Sequence, residues 1–267
     1  MIAPVEITHG DSPVVLGLPH TGTYVPPEVE AQLNTRGRGL EDTDWHIHRL
    51  YDGILEGAST VRATFHRYVI DANRDPSGVS LYPGQNTTTL VPLTDFDGHP
   101  IWNQDPGAAE IEARRLAYHA PYHAALAAAL ERVKAQHGFA ILYDCHSIRS
   151  TIPFLFDGTL PDFNTGTNMG TTCDPAIEDI VVTACAAAEG YSSVLNGRFK
   201  GGWTTRHYGR PEEGLHAIQM ELAQSTYLSA EAAPWSYDAA KATRLRAHLN
   251  TILTRLASWA PMTGGNT

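Results

Sequence analysis

The sequence predicts a single α/β domain, residues 1–267, with a central sheet and helices on both of its faces. Three observations predict this class. Short apolar runs typical of buried strands alternate with longer segments whose apolar residues recur at helical spacing. No Ser/Gly/Pro-rich linker, charge block or repeat divides the chain. Two of the apolar runs also end in a histidine, as expected where a sheet carries a ligand site at the carboxyl ends of its strands.

The amino-terminal half alternates strands with a helix before a long irregular stretch. Strands are predicted at residues 13–19, 60–65 and 68–71, and a helix at 43–56, where apolar residues recur every three or four positions. Residues 80–106 are rich in Pro, Gly, Thr and Asp and have little periodicity. A stretch of this length without regular structure is more often functional than idle, so we interpret it as a lid or substrate loop.

The carboxyl-terminal half begins with an Ala-rich helical region at residues 108–137, which Pro121 is expected to break or kink. The remaining elements are strands at 139–145, 153–156 and 216–222, and helices at 174–189 and 237–257. Strands that alternate with helices in this way indicate a sheet covered by helices on both faces.

Two of the predicted strands deliver an imidazole at their carboxyl ends. The strand at 13–19 leads into His20, and the strand at 139–145 leads into His146 within the sequence Asp-Cys-His-Ser at 144–147. A single histidine in such a place is more often a hydrogen-bonded structural residue. Two of them, each at the end of a buried strand, are what a metal site built on a rigid sheet requires.

A catalytic zinc ion needs a third protein ligand besides two histidines, and a carboxylate commonly supplies it. The nearest candidates are Asp42 and Asp44, where the predicted helix at 43–56 begins. An acidic residue there can instead stabilise the helix dipole, and Asp42 suits that structural role better than Asp44 does. We therefore favour Asp44 as the third ligand and keep Asp42 as the alternative. Two histidines and one carboxylate also accept divalent ions other than zinc.

Three further polar residues are candidates for chemistry. Glu221 lies inside the apolar strand at 216–222, where a carboxylate is costly unless it is paired or functional. Beside a metal it would act as the general base, and the structural alternative is a salt-bridged glutamate. Arg74, which follows Asn73, and Arg206 are candidate contacts for a substrate carboxylate, since a guanidinium binds that group bidentately. A surface charge is the alternative for either arginine.

Other catalytic patterns are excluded or weak. His119 and His123 have the spacing of a helical zinc pair, but no glutamate follows the first histidine and Pro121 interrupts the helix, which favours a structural role. Cys145 and His146 are neighbours on a strand, so they point to opposite faces and form no nucleophile–base pair. The chain contains no G-x-S-x-G, G-x-G-x-x-G or P-loop motif.

Composition limits the partners. The formal net charge is −10 at pH 7 and no basic stripe is present, so we expect a small-molecule substrate and no nucleic acid. Three cysteines without C-x-x-C spacing argue against a disulfide framework. The longest apolar runs are too short to span a membrane, and the first residues lack the pattern of a signal peptide. We therefore expect a cytoplasmic protein.

Nearly the whole chain resembles the N-formylglutamate amidohydrolase (N-formylglutamate deformylase) family. Six segments carry the resemblance in the same order: PHTGTYVP at 19–26, DTDWH at 42–46 with RLY at 49–51, IDANRDP at 70–76, DCHS at 144–147, GGWTTRHYG at 201–209 and AIQMEL at 217–222. Any one of these segments is weak evidence, whereas six in order are specific.

The resemblance implies a phosphorylase/hydrolase-like three-layer sandwich with a mixed sheet, related to zinc carboxypeptidases and aspartoacylases. It implies hydrolysis of N-formyl-L-glutamate to formate and L-glutamate, as in one route of histidine degradation. In those relatives two histidines and an acidic residue hold the metal, an Asn-Arg pair binds a substrate carboxylate, and a strand glutamate is the base. These roles fall on His20 and His146, on Asn73 with Arg74, and on Glu221.

One position departs from the pattern of those relatives, which place the acidic ligand three residues after the first histidine. Thr23 stands there in this chain, so the third ligand has to come from elsewhere. Two alternatives remain beside the main interpretation. One is a related zinc amidohydrolase that acts on another N-acyl amino acid. The other is a non-catalytic protein of the same fold that uses Arg74 and Arg206 to bind a dicarboxylate.

Overall fold

A seven-stranded mixed sheet forms the middle layer of the molecule. The computed structural model describes residues 2–79 and 86–261. The strands are β1 (Val5–Thr8), β2 (Val14–Leu18), β3 (Ser59–Ala63), β4 (Ala140–Ile148), β5 (Phe163–Gly166), β6 (Ser193–Leu195) and β7 (Leu215–Ala223). Their order in the sheet is β1-β3-β2-β4-β7-β5-β6. The central strands β3, β2, β4 and β7 are parallel, so their carboxyl ends meet at one edge.

The antiparallel pairs lie towards the two sides of the sheet. β1 pairs antiparallel with β3, and β5 pairs antiparallel with β7, whereas β6 runs parallel to β5. The longest strands are β4 and β7, which have nine buried residues each. Strands covered on both faces have near-continuous apolar sequences, which explains why β4 and β7 could be predicted from the sequence.

Seven α-helices accompany the sheet in the described part of the chain. They are α1 (Pro27–Glu30), α2 (Ile47–Tyr51), α3 (Ala108–Arg114), α4 (Ala120–His137), α5 (Pro175–Ala186), α6 (Trp203–Tyr208) and α7 (Ala239–Ala257). The side chain of Asp174 caps α5 by accepting from the backbone N–H of Ala176. Asp238 caps α7 by accepting from the N–H groups of Ala240 and Lys241. None of these helices is both long and apolar enough to cross a membrane.

The apolar side chains divide between two clusters, one on each face of the sheet, because successive strand residues point to opposite faces. On one face, Leu142 packs with α4 residues that include Leu126 and Val133. On the other face, its neighbours Ile141 and Tyr143 pack with α2, α5 and α7. The predicted three-layer α/β architecture with a mixed central sheet is therefore confirmed.

Most of the predicted elements are confirmed. The strands expected at 13–19, 60–65, 139–145 and 216–222 are β2, β3, β4 and β7, and the helices expected at 174–189 and 237–257 are α5 and α7. The helical region at 108–137 is α3 and α4, joined by a π-helical turn at Arg115–His119. Pro121 is the second residue of α4, and its missing N–H removes one helical hydrogen bond beside that turn. Helical structure nevertheless continues from residue 108 to residue 137, so the chain has a π-helical irregularity next to the proline and no break at it.

Two predicted strands are wrong. The segment 68–71 contains a turn in which the N–H of Val69 donates to the carbonyl of His66 (2.9 Å), and its apolar side chains pack in the core without pairing in the sheet. The segment 153–156 is also a turn, closed by Leu155 N–H on the Ile152 carbonyl (2.9 Å). Apolar composition misled the prediction in both places because buried turns and buried strands share it.

The helix expected at 43–56 is shorter than predicted, since α2 comprises only Ile47–Tyr51. His46 precedes it with φ of 60°, and Gly53 follows with φ of 59°, so the backbone leaves helical geometry on both sides. Five elements were not predicted from the sequence, and all are six residues or shorter: β1, α1, β5, β6 and α6. The described part of the irregular stretch, residues 86–106, contains only isolated bridges, and residues 80–85 lie outside the described residues.

We expect Leu126→Ala to lower the free energy of unfolding by about 2–5 kcal/mol, because Leu126 is fully buried between α4 and the sheet. The matched control is Leu116→Ala on the neighbouring π-helical turn, where the leucine is 57% exposed and the change should stay within about 0.5 kcal/mol. Urea denaturation followed by circular dichroism measures both values. Equal losses in the two variants would contradict the assignment of this face of α4 to the core.

Candidate metal centre and substrate cavity

Three separate elements bring His20, Asp44 and His146 together. His20 follows β2, Asp44 precedes α2, and His146 lies near the carboxyl end of β4. Each residue is only 2% exposed. One ligand atom from each lies within 4.8 Å of the others, a spacing that allows the three side chains to hold a metal ion. The side chains that the sequence suggested as ligands therefore share one site.

The distances within this group suit a small divalent ion. Asp44 Oδ2 lies 3.4 Å from His146 Nδ1 and 3.9 Å from His20 Nδ1. The ligands of a tetrahedral zinc ion with bonds of about 2.1 Å are roughly 3.4 Å from one another. Two imidazoles and one carboxylate are also the donor set of many catalytic zinc sites, which leave a position for water or substrate. Both the donor atoms and their spacing fit a metal.

Two more carboxylates orient the imidazoles from behind. Asp71 Oδ1 lies 2.7 Å from His20 Nε2, and Asp144 Oδ2 lies 3.1 Å from His146 Nε2. A carboxylate on the far nitrogen fixes the tautomer of a histidine ligand and raises its basicity. Both Nδ1 atoms are thereby directed towards Asp44. Although burial raises the pKa of Asp71, the charges of Arg74, His20 and Arg67 hold that pKa well below its usual value.

Asp42, the alternative third ligand, lies outside this group. Its Oδ2 accepts hydrogen bonds from the hydroxyl of Tyr68 (2.8 Å) and from the backbone N–H of Phe96 (3.0 Å). Burial raises the pKa of Asp42 to about 7. The contacts of Asp42 are those of a carboxyl group that ties the 86–106 stretch to the turn containing Tyr68.

Glu221 stands beside His146 because the two residues are Cα partners in the pairing of β4 with β7. It is 7% exposed and lines the same cavity as the three candidate ligands. The Gln219 side-chain amide donates to its Oε2 (3.2 Å). Burial raises the pKa of the Glu221 carboxyl group to about 8, so the group can take up and release a proton near neutral pH. This is the placement that a general base needs.

A partly enclosed cavity opens in front of these residues. Three arginines line it, namely Arg67, Arg74 and Arg198. Its remaining lining residues include Asn73, residues 86–88, Phe96, Ser147, Ile148, Leu155, Phe199, Gly202 and Gln219. Arg206 is not among the described residues that line the cavity. It lies on α6, where its Nε donates to the carbonyl of Gly201 (2.9 Å), and its role in substrate binding stays a prediction.

The sequence reasoning missed Arg67, which is the deepest of the three arginines. It is 6% exposed, and its Nη2 contacts the ring nitrogens of His20 and lies 3.5 Å from Asp71 Oδ2. A guanidinium remains protonated there, so it adds a fixed positive charge beside the candidate ligands. The signal in the sequence was a pair of charged residues, Arg67 and Asp71, on either side of the apolar residues 68–70.

Asn73 and Arg74 lie at the site but make different contacts. Asn73 Oδ1 accepts from the N–H of Thr204 (2.8 Å), and its Nδ2 lies 3.2 Å from His146 Nε2, so it joins α6 to the metal site. A Cβ atom on Gly202 would come within 2.7 Å of the Asn73 amide, which explains why a glycine is needed there. Arg74 donates from Nε and Nη2 to the carbonyl and hydroxyl oxygens of Thr88 (2.9 and 2.8 Å).

The weaker histidine pair has a structural role. Nε2 of His119 lies 3.1 Å from the carbonyl oxygen of Arg74, and Nε2 of His123 lies 2.8 Å from that of Ala72. The two rings thus hold the backbone that presents Asn73 and Arg74, in agreement with the structural interpretation. Cys145 packs in the cluster on the α7 side of the sheet, whereas its neighbour His146 faces the cavity.

Comparisons with known proteins identify the family of this chain. A family model described as N-formylglutamate amidohydrolase matches residues 12–228. The chain is 51% identical over 260 residues to an N-formylglutamate deformylase of Pseudomonas aeruginosa, covering 96% of each chain. It is 45% identical over 253 residues to an N-formylglutamate deformylase of Pseudomonas putida, covering 94% of each.

Two solved structures share the fold of this chain. An N-formylglutamate amidohydrolase from Ralstonia eutropha JMP134 has a TM-score of 0.80 at 28% identity and covers 96% of this chain and 97% of its own. A gene product of Agrobacterium tumefaciens has a TM-score of 0.69 at 18% identity and covers 95% and 96%. At that identity the second likeness concerns the fold alone.

The choice between Asp44 and Asp42 can be tested through metal affinity. Mutating a residue that only hydrogen-bonds to a metal ligand typically weakens metal binding roughly 10- to 100-fold. We expect Asp44→Asn to weaken zinc binding by more than this, because it removes the charge of a ligand itself. Asp42→Asn retains an oxygen that can accept from Tyr68 and Phe96, so its affinity should stay within a few-fold of the parent. Competition with a chromogenic chelator measures both affinities. Loss of zinc in Asp42→Asn alone would reverse the assignment.

Proposed function

The chain belongs to the N-formylglutamate amidohydrolase family, and from this membership we propose that it is a zinc-dependent enzyme that hydrolyses N-formyl-L-glutamate to formate and L-glutamate. The observation that carries the proposal is the buried group of His20, Asp44 and His146 with Glu221 beside it in one arginine-lined cavity. An amide hydrolase needs a site for a Lewis acid, a proton acceptor and a means to hold its substrate. This cavity contains candidates for all three.

His20, Asp44 and His146 are the residues that would hold the metal. When bound, a divalent ion of this kind supplies Lewis acidity, which makes water acidic near neutral pH and polarises a carbonyl oxygen. Asp71 and Asp144 keep the imidazoles directed towards Asp44. Zinc is the proposed ion, and two histidines with one carboxylate also accept other divalent ions.

Glu221 moves the proton in the proposed mechanism. Its carboxylate accepts a proton from the water that attacks the formyl carbon, and then donates that proton to the amide nitrogen as the C–N bond breaks. The strand pairing that sets Glu221 beside His146 keeps the carboxylate at the reacting centre. Arg67 contributes a permanent positive charge at the wall beside His20, which favours negative charge as it develops on the formyl oxygen.

The substrate carboxylates need cationic partners. Arg74, supported by Asn73 and Thr88, lines the cavity and is the proposed partner of one carboxylate. Arg206, which the sequence suggested, is one candidate partner of the second carboxylate, and Arg198, which lines the cavity, is the other. A formyl group is small, so these contacts have to supply most of the selectivity. We propose a cytoplasmic enzyme of histidine degradation on the same grounds of family membership.

The first prediction concerns substrate and metal together. We expect the purified protein to release formate from N-formyl-L-glutamate, the chelated apoprotein to release none, and activity to return when zinc is restored. A formate assay coupled to formate dehydrogenase measures all three samples. No formate from a folded, zinc-loaded sample would remove this substrate, and other N-acyl amino acids would then be tested. Binding of the dicarboxylate without any turnover, with or without metal, would favour the non-catalytic alternative.

A second prediction concerns the proton acceptor. We expect Glu221→Gln to retain its zinc but to lose roughly 100- to 10,000-fold in kcat, because the amide cannot accept the proton from water. The control is Glu212→Gln, which changes an exposed glutamate in the turn before β7 and should leave kcat unchanged. Zinc content by elemental analysis and kcat by formate release are measured on the same samples. Near-normal turnover in Glu221→Gln would exclude Glu221 as the base.

A further inference from the structure

We propose that Arg198 binds the side-chain carboxylate of the substrate and thereby determines the specificity of this enzyme for a dicarboxylate. Arg74 would bind the other carboxylate, the one attached to the α-carbon. The inference rests on the proposed function and deepens it, because it names the residue that binds the side chain of the substrate. Arg198 belongs to none of the segments through which the sequence suggested a substrate contact.

The first observation is that Arg198 lines the same cavity as Glu221 and the candidate metal ligands. Its Nε donates to the carbonyl of Leu155 (3.0 Å), and its Nη2 donates to the carbonyl of Asn86 (3.2 Å). Two contacts from separate loops orient the guanidinium at the cavity wall. An oriented guanidinium is pre-organised to bind a carboxylate, since less side-chain freedom is lost on binding.

The second observation is that one short segment joins the two arginines. Arg74 donates to Thr88, and Arg198 donates to Asn86, two residues earlier in the chain. The Cα atoms of residues 86 and 88 cannot be more than about 7 Å apart, even in a fully extended chain. The two carboxylates of glutamate are separated only by its Cα, Cβ and Cγ atoms. Two arginines attached to one segment at this spacing suit a short dicarboxylate better than a long one.

The two carboxylates can be assigned from what surrounds each arginine. Arg74 Nη2 lies 3.8 Å from Asp71 Oδ2, and Asp71 Oδ1 lies 2.7 Å from His20 Nε2, so the Arg74 guanidinium adjoins the candidate metal site. The α-carboxylate is bonded to the carbon that carries the formamide, so it is the carboxylate nearest the reacting carbonyl. Arg74 is therefore the partner of the α-carboxylate, which leaves Arg198 for the side chain.

The third observation is the apolar wall on which Arg198 lies. Phe96, Ile148, Leu155 and Phe199 line the cavity together with Arg198, and its guanidinium carbon is 5.4 Å from the centre of the Phe199 ring. Apolar surface suits the Cβ and Cγ methylenes of the substrate. It also lowers the local dielectric constant, which strengthens the attraction between a guanidinium and a carboxylate. A neutral amide in place of the carboxylate would lose that attraction.

The experiment compares N-formyl-L-glutamate with N-formyl-L-glutamine, which has the same shape but a neutral side chain. We expect Arg198→Ala to lower kcat/KM for N-formyl-L-glutamate roughly 10- to 100-fold, mainly through KM, and to change the value for N-formyl-L-glutamine less than about three-fold. Arg198→Lys retains the charge but not the planar guanidinium that binds a carboxylate bidentately, so its kcat/KM for N-formyl-L-glutamate should lie between those of the parent and Arg198→Ala. The matched control is Arg210→Ala, which removes a surface arginine paired with Glu213 and should leave the ratio unchanged.

The ratio between the two substrates distinguishes specificity from damage to the fold. Equal losses for both substrates in Arg198→Ala would show a structural role and overturn the inference. The inference is also overturned if Arg206→Ala removes the preference in kcat/KM for N-formyl-L-glutamate over N-formyl-L-glutamine while Arg198→Ala retains it. If the parent protein does not hydrolyse N-formyl-L-glutamate, the proposed function fails by itself. Calorimetric binding of L-glutamate against L-glutamine to the parent and to Arg198→Ala then still decides whether Arg198 reads the side-chain carboxylate.

Discussion

The pairing of β4 with β7 is the constraint on which the candidate site depends. His146 and Glu221 are Cα partners in this register, and two positions earlier Asp144 is the partner of Gln219. All four residues lie on the face of the sheet from which Leu142 contacts α4. A shift of one residue in the register of either strand would move its polar side chains to the other face of the sheet, into the apolar cluster there. The apolar residues that set the register therefore also place an imidazole beside a carboxylate.

Burial of these charges requires a network, because an ionised group without partners is costly inside a protein. Asp44, Asp71, Asp144 and Arg67 are all 6% exposed or less, and their contacts converge on His20 and His146. The carboxylates behind the imidazoles orient them, and Arg67 offsets part of the negative charge. The same network thus stabilises the buried polar core and leaves three ligand atoms facing one point.

Much of the fold and half of the site could be predicted from local sequence. Continuous apolar runs marked the central strands, and helical spacing marked α4, α5 and α7, because those elements are long and buried. His20 and His146 were recognisable since each follows such a run. Short elements such as β5, β6 and α6 were not predicted, because too few residues show their periodicity. The buried turn at Tyr68 was predicted as a strand because its residues are apolar.

The sequence by itself determined the α/β class, the central strands, the two histidines and the buried glutamate, since these depend on patterns within a few residues. Only the tertiary structure decided which aspartate lies with the histidines, because Asp42 and Asp44 are two residues apart and their contacts lie elsewhere in the chain. It also brought Arg67 and Arg198 to the cavity beside Arg74. These arginines lie on loops, and the path of a loop cannot be predicted because its sequence has no periodicity.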